Sequence, residues 1–376
     1  MTETTVSTTI SISRLEQLSR LGQSVWVDYL SRDSIHSGHL QSLIDSDAVV
    51  GATSNPSIFQ KAMTAGHDYD EQLRQIAADE PDPKVIFWAL AEQDVRDACD
   101  LFRPIWEISS GRDGYVSLEV DPNLAYDSEA TFQEAIRLHT ELERPNLMVK
   151  IPATKPGLTA IEDCIADGRS INVTLIFSLD RYAAVAEAYV RGLERLVAAG
   201  GDPGSLASVA SFFVSRIDTE TDRRLAEVGD QEHLHGLLGI ANARLAYESY
   251  QSIFSGPRWE ALADKGAMPQ RLLWASTSVK DLAYIDTRYV DELIGADTVD
   301  TMPEETIRLY QDHGRPRPRI TAGLPDARRL IDELRAIGVE YDDVTDTLER
   351  DGVKRFADDF STLLDALRNK RAQLAA

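Results

Sequence analysis

The sequence predicts an α/β fold: a (β/α)8 barrel with extra helices at the N-terminus, after the second strand and at the C-terminus. Short β-branched runs that end in polar residues occur eight times along the chain, and helical stretches with a 3.6-residue period separate them. No Ser/Gly linker or low-complexity block divides the 376 residues. Strands alternating with helices build a parallel sheet, and eight of them suffice to close it into a barrel. The expected organisation is one domain over residues 1–376.

A helical run from Ile12 to Leu18 precedes the first strand, Ser24–Leu30, in which Val25, Val27 and Tyr29 alternate with Trp26 and Asp28. The second strand, Ala48–Asn55, stops at Pro56, and two or three helices fill Pro56–Arg112. The third, Gly114–Asp121, sets Val116, Leu118 and Val120 against Ser117 and Glu119. The fourth, Asn146–Ala153, sets Leu147, Val149 and Ile151 against Met148 and Lys150. The fifth, Ser170–Ser178, sets Ile171, Val173 and Leu175 against Asn172 and Thr174. The clearest helix follows from Leu179 to Ala199, capped by Ser178 and stopped by Gly200 and Gly201, with Tyr182, Val185, Tyr189 and Leu193 on one face. Ser208–Ile217, Arg271–Val279 and Asp297–Met302 complete the strands. Beyond Pro303 runs a helical tail, interrupted at Arg315-Pro316-Arg317-Pro318-Arg319 by a loop and expected to pack across the active end of the barrel.

Composition narrows the function. Hydrophobic residues make up 43% and charged residues 27%, as in an ordinary globular protein. A formal charge of −23 argues against a nucleic-acid partner, so an anionic substrate has to be met by a local cluster of cations. Cys99 and Cys164 lie in helical stretches, which excludes a disulfide framework or a zinc site. The N-terminus has no basic-then-apolar leader pattern, its first cation being Arg14, and no run approaches a membrane span. The reading is a cytoplasmic protein without membrane contact; the sequence specifies no oligomeric state. His36, His39, His233 and His235 lack companion ligands and read as surface residues, so no metal is expected.

Lys150 is the odd residue. It stands in Asn146-Leu147-Met148-Val149-Lys150-Ile151-Pro152 with no local counter-charge. Desolvation there disfavours an ammonium, and an amine freed of its proton is a nucleophile for a ketone carbonyl. Period-2 alternation turns Lys150 into the barrel with Asp28, Glu119, Asn172 and Thr174, near the strand ends where barrel enzymes place their chemistry. In that company Lys150 would form an iminium that acts as an electron sink for carbon–carbon cleavage. Glu119 and a water held by Thr174 would shuttle protons, Asp28 would act as base on a β-hydroxyl, and Asn55 and Asn172 would hold substrate hydroxyls.

These motifs resemble the transaldolase family. Thr53-Ser54-Asn55-Pro56-Ser57 is similar to its Thr-(Ser/Thr)-Asn-Pro signature, Ser117-Leu118-Glu119-Val120-Asp121-Pro122 to its acidic third strand, and Met148-Val149-Lys150-Ile151-Pro152-Ala153-Thr154 to its Schiff-base strand. Asn172-Val173-Thr174-Leu175-Ile176-Phe177-Ser178 and Ser211-Phe212-Phe213-Val214-Ser215-Arg216-Ile217-Asp218 continue the resemblance in order, from about Val25 to Met302. It implies Lys150 as the Schiff-base lysine, Asp28 as acid/base, Glu119 with Thr174 as the water site, Asn55, Asn172 and Ser211 as substrate ligands and Arg216 as a phosphate ligand. In the seventh strand, Trp274-Ala275-Ser276-Thr277-Ser278-Val279-Lys280 departs from the form that carries an arginine there and resembles the longer bacterial and plant branch, which makes Lys280 the second phosphate ligand. The implied reaction moves a dihydroxyacetone unit between sugar phosphates without cofactor or metal. A fructose 6-phosphate aldolase, much shorter than this chain, and a non-catalytic sugar-phosphate-binding barrel are the alternatives.

Overall fold

A computed structural model describes residues 12–77, 80–229 and 231–374, so the reading of the extreme N-terminus as lacking a leader lies outside the described residues. Eight parallel strands close into a barrel in chain order: β1 (Gln23–Val27), β2 (Val49–Thr53), β3 (Tyr115–Glu119), β4 (Leu147–Pro152), β5 (Ile171–Ile176), β6 (Ser208–Phe213), β7 (Arg271–Ala275) and β8 (Thr298–Met302), with β8 pairing back on β1. All eight expected strands are present.

The helices are α1 (Arg14–Arg20), α2 (Arg32–His36), α3 (His39–Asp47), α4 (Pro56–Thr64), α5 (Asp70–Ala77), α6 (Pro83–Ile108), α7 (Ser128–Leu142), α8 (Lys155–Ala166) and α9 (Leu179–Ala198). They continue as α10 (Ser215–Val228), α11 (Leu238–Ile253), α12 (Gly256–Ala263), α13 (Arg288–Glu292), α14 (Glu304–His313), α15 (Leu324–Ala336) and α16 (Tyr341–Leu374). Ser178 caps α9 as expected, accepting from the Arg181 N–H at 3.1 Å. Among the described residues no helix is long and apolar enough to cross a membrane.

The alternation holds where it was clearest. Val25, Val27, Val116, Leu118, Leu147, Val149 and Ile151 face the helices in one apolar cluster, while Trp26, Tyr115, Met148, Val209, Leu273 and Val299 fill the lower barrel in another. Gly51 makes room for this filling, since a Cβ there would stand 2.6 Å from the Trp26 indole. At the N-terminal end Arg271 pairs with Asp113 at 2.9 Å and donates to Ser24 Oγ at 2.8 Å. The interior is therefore plugged by apolar side chains, closed at the N-terminal end by this ion pair, and open as a polar cavity at the C-terminal end.

Two expectations need correction. The strands are shorter than predicted, because pairing ends where the chain turns away to its next helix; Asp28 and Lys280 lie in loops, Asn55 caps α4 and Arg216 belongs to α10. Leu175 does not share the helix-facing side with Ile171 and Val173. The β5–β6 register breaks between Val173 and Ile176, Leu175 takes a left-handed φ of 59°, and its side chain joins Phe177 in the second apolar cluster, beneath α16.

The tail crosses the open end. The 315–319 segment is a loop as expected, and α16 then packs on α4, α6, α10 and β5. Phe360 meets Phe87 edge-on at 5.2 Å, and Phe87 meets Phe59 at 5.7 Å, joining α16, α6 and α4. Gly352 lets α16 approach β5: an added Cβ would come within 3.1 Å of Leu175.

Candidate active site

Parallel register places Glu119, Lys150 and Asn172 side by side across β3, β4 and β5. Lys150 is 6% exposed and forms part of the wall of a cavity of about 590 Å³. Its Nζ donates to the Ser54 carbonyl at 3.0 Å and lies 3.9 Å from Glu119 Oε2. The lysine therefore does have a counter-charge. It comes from the neighbouring strand, where a reading of the β4 run alone does not find it. Burial pushes the Glu119 carboxyl up to about 7; the Lys150 charge opposes this and Asp28 adds to it. Glu119 Oε2 and Thr174 Oγ1 are buried without a hydrogen-bond partner among the described residues.

Asp28 follows β1, its backbone N–H held by the Met302 carbonyl at 2.8 Å. Thr53 Oγ1 donates to Asp28 Oδ1 at 2.7 Å. Burial raises the Asp28 pKa, against the charges of Lys150 and Arg216 and the Thr53 hydrogen bond. Asn55 lines the cavity, but its Oδ1 is occupied: it caps α4 by accepting from the Ile58 N–H at 3.0 Å and from Ser57 Oγ at 2.9 Å. Expected both to donate and to accept, Asn55 has its amide N–H groups left for a ligand.

Asn172 is fully buried and lies outside the cavity wall. Its Nδ2 donates to Ser117 Oγ at 3.0 Å, and its Oδ1 accepts from Ser211 Oγ at 2.7 Å. Ser211 and Thr174 do line the cavity. Of the polar residues expected to converge, Asp28, Lys150 and Thr174 face the cavity, joined there by Asn55 and Ser211, whereas Glu119 and Asn172 support it from behind.

Arg216 and Lys280 also line the cavity. Arg216 lies over the Phe213 ring at 5.1 Å and makes no pair with Asp218, whose carboxylate is taken by the Gly239 N–H at 2.6 Å and the Tyr289 hydroxyl at 2.8 Å. Two further cations were not found from the sequence: Lys61 of α4 and Arg355 of α16. Burial, then Arg355, lowers the Arg216 pKa; burial, then Arg216, Arg355 and Lys61, lowers that of Lys280. Such mutual repulsion is relieved by a bound anion. Arg355 has a weak partner in Asp359 at 4.0 Å, one turn along α16. The signal for these two residues was slight, Lys61 lying shortly after the Thr53–Ser57 motif and Arg355 on a helix expected to cross the site. His39, read as a surface residue, is at the cavity wall with its Nε2 3.0 Å from Glu304.

The sequence profile of the family described as transaldolase/fructose-6-phosphate aldolase matches residues 25–367. A protein named Transaldolase from Parafrankia sp. (strain EAN1pec) is 52% identical over 365 residues, covering 96% of this chain and 99% of the relative. Another so named, from Mycobacterium ulcerans (strain Agy99), is 50% identical over 366 residues, covering 96% and 97%. Transaldolase 1 of Streptomyces avermitilis is 50% identical over 366 residues, covering 96% of each. With a closed parallel barrel and a buried lysine at its open end, this chain belongs to the transaldolase/fructose-6-phosphate aldolase family.

Proposed function

We propose that this chain is a Schiff-base transaldolase, a transferase that moves a dihydroxyacetone unit from sedoheptulose 7-phosphate or fructose 6-phosphate to glyceraldehyde 3-phosphate or erythrose 4-phosphate. The reading fits the name carried by relatives at about half identity. The observation that carries it is the placement of Lys150, 3.9 Å from Glu119, at the wall of a cavity that Asp28 also lines and cations rim. The reaction belongs to the non-oxidative pentose phosphate pathway, and a single domain spanning the chain carries it. We place the enzyme in the cytoplasm, where free Cys99 and Cys164 fit a reducing compartment.

The Lys150 amine attacks the ketose C2 carbonyl, and the carbinolamine loses water to give a protonated imine. Glu119, with a pKa of about 7, both accepts and returns the protons of this step, and Thr174 holds the water. Asp28 takes the proton of the C4 hydroxyl. The C3–C4 bond then breaks, its electron pair entering the iminium to leave an enamine on Lys150 while an aldose phosphate departs. The enamine attacks the acceptor aldehyde, Asp28 returns its proton to the new hydroxyl, and hydrolysis frees Lys150. Asn55 and Ser211 hold sugar hydroxyls, with Asn172 fixing Ser211. Arg216 and Lys280 hold the phosphate.

Borohydride reduction in the presence of fructose 6-phosphate tests the covalent step. A reduced adduct on Lys150 is expected, and its absence sinks the mechanism. Adding erythrose 4-phosphate tests transfer: turnover that needs no acceptor would assign the chain to the aldolase side of its family instead.

A further inference from the structure

Behind Asp28 stands a second hydroxyl. Thr301 of β8 and Thr53 of β2 flank the end of β1, and their Oγ1 atoms are 2.7 Å apart. Both side chains line the cavity yet are almost closed to solvent, Thr53 2% and Thr301 5% exposed. A threonine hydroxyl has one hydrogen to give. Thr53 gives its hydrogen to Asp28 Oδ1 at 2.7 Å, so the hydrogen between the two threonines has to come from Thr301. The backbone fixes the same geometry: Trp26 is in register with Thr301 and Val27 with Met302, whose carbonyl accepts from the Asp28 N–H.

We propose that Thr301 is a positioning residue for Asp28, acting through Thr53 as a one-way chain of two hydroxyls that polarises Asp28 Oδ1 and leaves Oδ2 as the oxygen that exchanges protons with substrate. Polarised in series, each hydroxyl of the chain is a better donor than it is alone. Among the described residues Oδ2 makes no hydrogen bond. The chain also holds χ1 of Thr53, since turning its Oγ1 away breaks two bonds at once. The charged groups that bear on Asp28 from the elements around it are Lys150 of β4, Arg216 of α10 and Glu119 of β3. None of them touches the two threonines through a hydrogen bond, so a change at Thr301 reaches Asp28 by way of Thr53.

The proposal rests on the transaldolase reading, and its test separates the two. Thr301→Val keeps the shape of the side chain and deletes the hydroxyl; Thr301→Ser keeps the hydroxyl. For Thr301→Val we expect kcat with fructose 6-phosphate and erythrose 4-phosphate to fall about tenfold, with KM changed less than about twofold. We expect the acid limb of the pH–rate profile to move to higher pH, because an Asp28 carboxylate with less hydrogen-bond support holds its proton more tightly. Borohydride trapping of Lys150 should proceed at the wild-type rate, since imine formation does not use Asp28. Thr301→Ser should restore both kcat and the pH profile. A Thr301→Val enzyme with wild-type kcat and pH profile overturns the proposal, as does a Thr301→Ser enzyme as impaired as Thr301→Val. If Thr301→Val does not accumulate folded, Thr301→Ala against Thr301→Ser decides by the same readouts. Failure of wild-type trapping would remove the transaldolase reading itself, whereas normal trapping with an unaffected Thr301→Val removes only the hydroxyl chain.

Discussion

Glu119 Oε2 lies 3.9 Å from Lys150 Nζ, across one strand spacing and out of contact with the cavity that the lysine lines. A carboxyl so placed reaches the reacting carbon through a water or the lysine, which suits a proton carrier better than a substrate ligand. With its pKa near 7, Glu119 is divided between its two forms at neutral pH. Glu119→Gln should slow imine formation about 10²-fold and erase the pH–rate limb centred near 7. Single-turnover trapping across a pH series checks both; an unchanged limb would assign it to another group.

The four cations at the cavity should contribute in order of burial, because solvent and salt screen exposed charges. Arg216 is partly buried, while the Arg355 side chain is 68% exposed. Replacing Lys280 or Arg355 with an uncharged residue should raise KM for fructose 6-phosphate by up to about tenfold, worth about 1.4 kcal/mol, with Arg216 the most costly of the three. Turnover of unphosphorylated fructose should be insensitive to all three changes. Steady-state kinetics with the two ketoses make the comparison; equal losses on both would place the cations in a structural role.

Asp300 of β8 is fully buried on the helix-facing side, accepting from Thr277 Oγ1 at 2.8 Å while Oδ2 lacks a hydrogen-bond partner among the described residues. Burial lifts its pKa from 3.8 to about 7, against the Thr277 hydrogen bond. Between those values the folded chain binds more protons than the unfolded chain, so its stability declines as pH rises through the window. The slope approaches about 1.4 kcal/mol per pH unit for one group. Asp300→Asn should remove that component, so its melting-temperature advantage over wild type should grow from pH 4 to pH 7 and level off above. A difference independent of pH would mean that Asp300 does not titrate there.

Near the end of α16, Lys370 Nζ meets Asp70 Oδ1 at 2.9 Å and the carbonyls of Met63 and Gly66 at 3.1 and 3.2 Å. These bonds tie the helix that carries Arg355 to α5 and to the end of α4. Lys370→Met should lower the unfolding free energy by about 2 kcal/mol, expose the C-terminal helix to proteolysis and raise KM more than it lowers kcat. Denaturant midpoints and limited digestion check the first two. A KM unmoved in a protein whose tail is cleaved would deny α16 any part in binding.

The barrel was legible because strand periodicity is local: one residue too many reverses every face, so apolar and polar positions announce which way each side chain turns. That placed Lys150, Asp28 and Thr174 at the inner end correctly. It failed at Leu175, where a register break against β6 overrode the alternation. It was also incomplete at Asn55, whose Oδ1 proved to be taken by a helix cap, and at Asn172, whose amide is spent on two serines. Residue type shows what a side chain is able to bond, whereas its neighbours decide what it does bond.

By itself the sequence determined the eight-strand count, the inward set and a motif order specific enough to imply the family. Only the tertiary structure decided that Glu119 faces Lys150 from the adjacent strand, that Thr301 stands behind Thr53, and that α16 brings Arg355 to the cavity. The physical reason is range. Alternation is fixed by each residue's own φ and ψ, while these three contacts join parts of the chain far apart in sequence and exist because barrel closure and the docking of α16 set them side by side.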